Sequence, residues 1–154
     1  MFKLVAMVLV PAMTMLATDL PSRKYLNVAA IKTMVAASEA KAKELNVGVT
    51  ICIVDESGNL LLLEKGDGAS LNTLQFAQRK ARDAAAYGSP SREAAEAVKK
   101  GNVEDMAFPD FFPNQGGLPI RVDGQVLGGI AASGAKSEID EQIAQAGLDA
   151  LLKN

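Results

Sequence analysis

The sequence predicts one small α/β sandwich of the α+β kind, a mainly antiparallel sheet flanked by helices. Three observations carry this. Two pairs of short apolar runs are each joined by a turn signal, and hairpins pair their strands antiparallel. Helical segments precede, separate and follow those hairpins, which gives layers rather than a doubly wound fold. The 154 residues suit a single domain, and no repeat or linker divides them.

The predicted order is helix, hairpin, helix, helix, hairpin, helix. Asn27 is a good N-cap, and from it Ile31, Met34, Val35, Ser38, Ala42 and Leu45 recur at helical steps on one face. Glu39 and Lys43 form a favourably oriented i,i+4 pair on the other face, and Asn46 ends the helix. Val47 to Val54 reads as a strand, Asp55 to Asn59 as a turn, and Leu60 to Leu63 as the returning strand. Asp55 is expected to organise that turn through its own side chain. A second helix runs from Ser70 or Leu71 to Tyr87, stopped by Gly88 with Pro90 beyond; Ser91 caps a third that ends at Gly101. Asn102 to Gln115 is a loop rich in phenylalanine. Leu118 to Val122 and Gln125 to Ala132 flank Asp123-Gly124, a strong hairpin signal because a type I′ turn needs positive φ twice. Ser137 to Asp140 has the spacing of a capping box, and the last helix buries Ile139, Ile143, Ala146, Gly147, Ala150 and Leu151.

Composition narrows the chemistry. The apolar fraction is 49%, the charged fraction 22% and the net charge −2, with no Lys/Arg run longer than two, so a nucleic-acid partner is not expected. There is no histidine. That removes Ser/His/Asp hydrolysis, His-ligated zinc and proximal-His haem ligation together. The single Cys52 lies in an apolar run and reads as a buried inert thiol.

Residues 1–17, MFKLVAMVLVPAMTMLA, place Lys3 before an apolar stretch too short to span a bilayer. This is the form of a signal peptide ending at Ala17. The expectation is a leader over 1–17 and a single domain over 18–154, periplasmic or secreted, without stable membrane insertion after cleavage. The alternative is an N-terminal element of the fold in a cytoplasmic protein.

The run Gly116-Gly117-Leu118-Pro119-Ile120, Asp123-Gly124, Gly128, Ser133-Gly134, Asp140 and Ala144-Gln145-Ala146-Gly147 resembles the C-terminal signature of the GlcG/HbpS family, which includes the C-terminal domain of PduO-type proteins. Upstream, Val54-Asp55, Gly58-Asn59-Leu60, Asp67-Gly68-Ala69 and Lys80-Ala81-Arg82 resemble it too, so the likeness spans about Leu26 to Leu152. The resemblance implies about five antiparallel strands flanked by helices and a homo-oligomer built from dimers. It also implies haem or a related tetrapyrrole as ligand; other members sit in catabolic operons. Two departures stand out: Asp83 replaces a frequent Thr, and Ala131-Ala132-Ser133-Gly134 replaces Gly-Val-Ser-Gly. Without histidine, a haem iron here needs another ligand or none.

The candidate site residues each carry two readings. Gly116 and Gly117 either offer bare backbone N–H groups to a carboxylate or form a tight turn into the strand. Lys80, with Arg82 further round, either anchors an anionic ligand or lies on a solvated face paired with Asp83. Asp140 is a general base or a cap. Tyr25, Tyr87, Met13 and Met106 are the ordinary haem ligands left. The Phe108 to Phe112 loop suits a flat macrocycle or a neighbouring subunit. Three functions stay open: an exported oligomeric protein binding haem or another small molecule, a lyase- or isomerase-type enzyme acting on an organic acid through Lys80 or Asp140, and an accessory protein without ligand.

Overall fold

Four helices and four strands follow the predicted order in the computed structural model, which describes Asp19 and residues 22–153. They are α1 (Val28–Glu44), β1 (Thr50–Asp55), β2 (Leu60–Lys65), α2 (Thr73–Tyr87), α3 (Ser91–Lys99), β3 (Gly117–Val122), β4 (Gln125–Ser133) and α4 (Ser137–Leu152). The sheet runs β2-β1-β4-β3, antiparallel throughout. It has four strands among the described residues, not about five. The expected leader over 1–17, with Met13 in it, lies outside the described residues.

Alternation along β1 sorts the core into two layers. Ile51 and Ile53 join Met34 of α1, Ile143 of α4, Ile120 and Ile130 on one face. Cys52 and Val54 join Ala131 and the α2 residues Ala77, Ala81 and Ala85 on the other. The second layer is built from small side chains, so α2 lies hard against the sheet. A Cβ on Gly129 would stand 2.1 Å from the Ala81 carbonyl oxygen. This close approach explains how a chain with 5% aromatics fills its interior. The Cys52 thiol is fully buried, and burial pushes its pKa up to about 12, as expected of an inert thiol.

Local signals mostly hold. Asn27 accepts the Ala30 N–H at 2.8 Å, Gly88 closes α2 at φ 62°, and Asp123 and Gly124 sit at φ 50° and 79° in the β3–β4 turn. Asp55 accepts the Ser57 and Asn59 N–H groups at 2.9 and 2.8 Å. The departures come from longer-range partners. Helix α2 begins at Thr73, because the Thr73 N–H and hydroxyl both turn back to the Ser70 carbonyl. Pro90, not Ser91, is the N-cap of α3; the Ser91 hydroxyl is drawn to the Asn114 carbonyl and the Gly117 N–H. The Ser137–Asp140 box does not form: Lys136 is the N-cap of α4, with no side-chain cap. The Glu39–Lys43 pair gives way to Lys41–Glu44, and Glu39 shares a hydrogen bond with Glu64 instead. The loop after α3 carries a 3-10 turn over Glu104–Ala107.

Candidate functional site

Helix α2 sends its polar residues to three places. Lys80 turns inward beneath the sheet and is 2% exposed. Its Nζ donates to Asp140 Oδ2 at 2.8 Å and to the Ala132 carbonyl at 3.3 Å. The expected Lys80–Asp83 pair is therefore replaced by a buried pair with α4. Asp140 Oδ1 accepts the Ala135 N–H at 2.9 Å. Burial raises the Asp140 pKa, opposed by Lys80 and by the backbone N–H groups of Ala135 and Gly134.

Gly116 and Gly117 make room for this lysine. A Cβ on Gly116, at φ 128°, would stand 2.8 Å from Lys80 Nζ; one on Gly117 would stand 2.2 Å from the Lys80 carbonyl oxygen. The Gly117 N–H is not bare, since it donates to Ser91 Oγ at 2.9 Å. Lys80 and Asp140 line a cavity of about 260 Å³ at the N-termini of α2 and α4, with Thr73, Phe76, Ser133 and Ser137 around it. Thr73 also bonds Thr50 across 2.7 Å, which ties the start of α2 to β1.

Arg82 does not join Lys80. It is exposed, and its Nε donates to the Gly58 carbonyl at 3.1 Å in the β1–β2 turn. Tyr25 stands 72% exposed on the lead-in segment. Its neighbours Arg23 and Lys24 pair with Glu56 and Asp123 and so hold that segment across both hairpin turns.

Tyr87 reaches a second face, and Met106 stands exposed on the 3-10 turn after α3. Tyr87 meets Phe111 edge-on at 5.8 Å, and with Asp83, Glu93, Ala97 and Asp105 they wall a cavity of about 180 Å³. Beside Asp105 the loop exposes Val103, Met106 and Phe108, each more than half accessible. Burial raises the Tyr87 pKa, and Asp83, Asp105 and Asp110 raise it further. Phe76 and Phe112 pack at 5.9 Å with the Arg79 guanidinium over the Phe112 ring. Among the described residues, no group of three or more Cys, Asp or Glu could hold a metal ion.

Asp83 holds this loop: it is buried, and its Oδ1 accepts the Phe112 N–H at 2.8 Å. Burial lifts its pKa to about 6, the hydrogen bond opposing and Asp110 adding. A raised folded pKa means that the fold binds the proton more tightly than the unfolded chain, whose carboxyl titrates near ~3.9. Stability is thus fully present below that value and is lost as pH rises through about 6. Asp83→Asn keeps the acceptor and removes the charge. We expect a gain of about 2 kcal/mol at neutral pH and none in acid, read from urea unfolding across that window.

A cavity of about 400 Å³ was not anticipated from sequence; Glu39, Lys43, Val49, Glu64 and Asp67 are among its walls. Glu39 hydrogen-bonds to Glu64 there and raises its pKa, as do burial and the Glu39 charge. Nor was Ser91 foreseen, because its partners Asn114 and Gly117 are more than twenty residues away.

With this geometry in hand, comparison with known proteins gives consistent results. The profile of the HbpS-like family, described as haem-degrading proteins, matches residues 26–149. An uncharacterised 15.0 kDa protein of Citrobacter freundii, from the dhaT-dhaS intergenic region, is 34% identical over 80% of this chain and 90% of its own. The Klebsiella pneumoniae protein ORFY superposes with a TM-score of 0.81 at 30% identity, over 91% of this chain and 99% of its own. A PduOC:haem complex superposes with a TM-score of 0.76 at 27% identity, over 82% of this chain and 95% of that one.

Proposed function

Because the chain belongs to the HbpS-like family, we propose that it binds haem or a related tetrapyrrole on the face made by Tyr87 and the Val103–Phe108 loop. The observation that carries this reading is the likeness to a chain solved as a haem complex, over 95% of that chain's length.

The residues present fit such a group in a restricted way. No imidazole exists to ligate the iron. The raised pKa of Tyr87 disfavours the phenolate that would ligate iron, so the exposed Met106 thioether would be the better donor to it. The cavity of about 180 Å³ beside Tyr87 falls below the roughly 300–1,000 Å³ typical of enclosing ligand pockets. Val103, Met106 and Phe108, exposed together on this loop, would therefore hold the macrocycle at the surface as an apolar platform. Lys100, which precedes that loop in the chain, would supply a cation for a propionate, while Asp83, Asp105 and Glu93 would keep the propionates off the Tyr87 side. A bound haem would supply a redox-active iron.

The same reading has the protein exported and homo-oligomeric. The composition of residues 1–17 supports export. The exposure of Phe108 and Leu71 supports a subunit contact that would cover the open side of a surface-bound macrocycle. Titrating haemin into the purified chain is expected to give a shifted Soret band that saturates at no more than one haem per chain. A band that only tracks free haemin, without saturation, would sink the proposal.

A further inference from the structure

We propose that the cavity between the N-termini of α2 and α4 binds a small monoanionic carboxylate, held by Lys80, the Ser133 hydroxyl and the amide and hydroxyl of Ser137. This site is separate from the haem face and does not depend on it.

Four observations meet in this cavity. Lys80 has three ammonium protons, and two are used, on Asp140 and on the Ala132 carbonyl. The third has no acceptor, and Lys80 lines the cavity. Gly116 keeps that end of the lysine uncovered, since any Cβ there would sit 2.8 Å from Nζ. Ser133 is 4% exposed, lines the same cavity, and its hydroxyl has no hydrogen-bond partner among the described residues. Finally, both helices begin here without a side-chain cap. Of the residues whose first-turn N–H groups this leaves free, Ser137 lines the cavity.

Charge selects the ligand. Lys80 and Asp140 cancel, and each helix N-terminus contributes about half a positive charge. The total is close to one positive charge, which a monoanion neutralises and a phosphate dianion exceeds. Glu138 does not change the balance, because it lines a different cavity, with Arg92 and Lys99. The volume of about 260 Å³ suits a ligand of a few heavy atoms. Ser133 and Ser137 are placed to accept or donate to a further oxygen on it.

The test is amide NMR of the full chain titrated separately with acetate, lactate and inorganic phosphate. Acetate and lactate are expected to give saturable shifts centred on Ser133, Gly134, Ala135 and Ser137, and lactate to bind the tighter. Two variants locate the site. Lys80→Met is expected to weaken binding by about tenfold or more. If that variant fails to fold, Ser137→Pro decides. Proline is tolerated at the first helical position, and Lys136 at ψ 145° already has the extended backbone that must precede it. It deletes one amide and one hydroxyl from the cavity, so the fold is kept and affinity is expected to fall severalfold. Haemin binding should not change in Ser137→Pro. The proposal is overturned if wild type shows no saturable shift, if phosphate binds more tightly than either carboxylate, or if Ser137→Pro binds both as wild type does.

Discussion

Lys80→Met is expected to cost about 3–5 kcal/mol of folding stability, because it leaves Asp140 buried without its cation. Asp140 is 2% exposed, and its Oδ2 receives the lysine at 2.8 Å. Only the Ala135 and Gly134 amides remain to serve it afterwards. The carboxyl must then either stay charged without a partner or take up a proton at neutral pH; both reduce ΔG of unfolding. The double variant Lys80→Met, Asp140→Leu should recover most of the loss, since a well-packed apolar pair is often as stable as a buried ion pair. Urea unfolding of the two singles and the double measures the coupling directly. A loss under ~1 kcal/mol for Lys80→Met would mean that the pair is solvated and behaves as a surface bridge.

Gly117→Ala is expected to cost about 3 kcal/mol or more, the upper range for overpacking a rigid site. Its Cβ would stand 2.2 Å from the Lys80 carbonyl oxygen and 2.7 Å from the carbonyl carbon, and both are helix backbone. No rotamer can relieve that contact; α2 must lift off β3. Lifting it also disturbs the Lys80–Asp140 pair and the Gly117–Ser91 hydrogen bond. Gly68→Ala is the matched control. Gly68 has φ 79° with nothing within 4 Å, so only backbone strain of about 1 kcal/mol is expected. Similar thermal midpoints for the two variants would show that α2 and the sheet are not held as tightly as described.

What the sequence disclosed divides by the range of the interaction. Asn27, Gly88, Asp123-Gly124 and the Asp55 turn act on backbone within four residues, so their roles could be read from spacing. The two hairpins and the helix order followed from them. The site did not, because its defining contacts are long-range. Lys80 and Asp140 are 60 residues apart, Ser91 and Gly117 are 26 apart, and no local spacing encodes either. The Ser137–Asp140 box failed for the same reason: Asp140 is taken by Lys80 and by the loop before α4. Gly116 and Gly117 were singled out for bare backbone N–H groups, and what they accommodate is a lysine of the same chain. Arg82 looked equivalent to Lys80 two residues away, and the helical turn carried it out to the β1–β2 hairpin. Asp83, the departure from the family's frequent threonine, turns out to anchor the phenylalanine loop through the Phe112 N–H.

The glycine signature thus builds a scaffold, and the haem face we propose is the α3-to-β3 loop. The most direct test of that assignment is equilibrium haemin titration of the double variant Met106→Asp, Phe108→Asp beside wild type. Both side chains are exposed, at 58% and 56%, so the thermal midpoint should hardly move. Saturable haemin binding is expected to disappear or weaken by at least about tenfold, as a charged platform excludes the macrocycle. Wild-type haemin affinity in this folded variant would contradict the account and place the haem elsewhere on the chain.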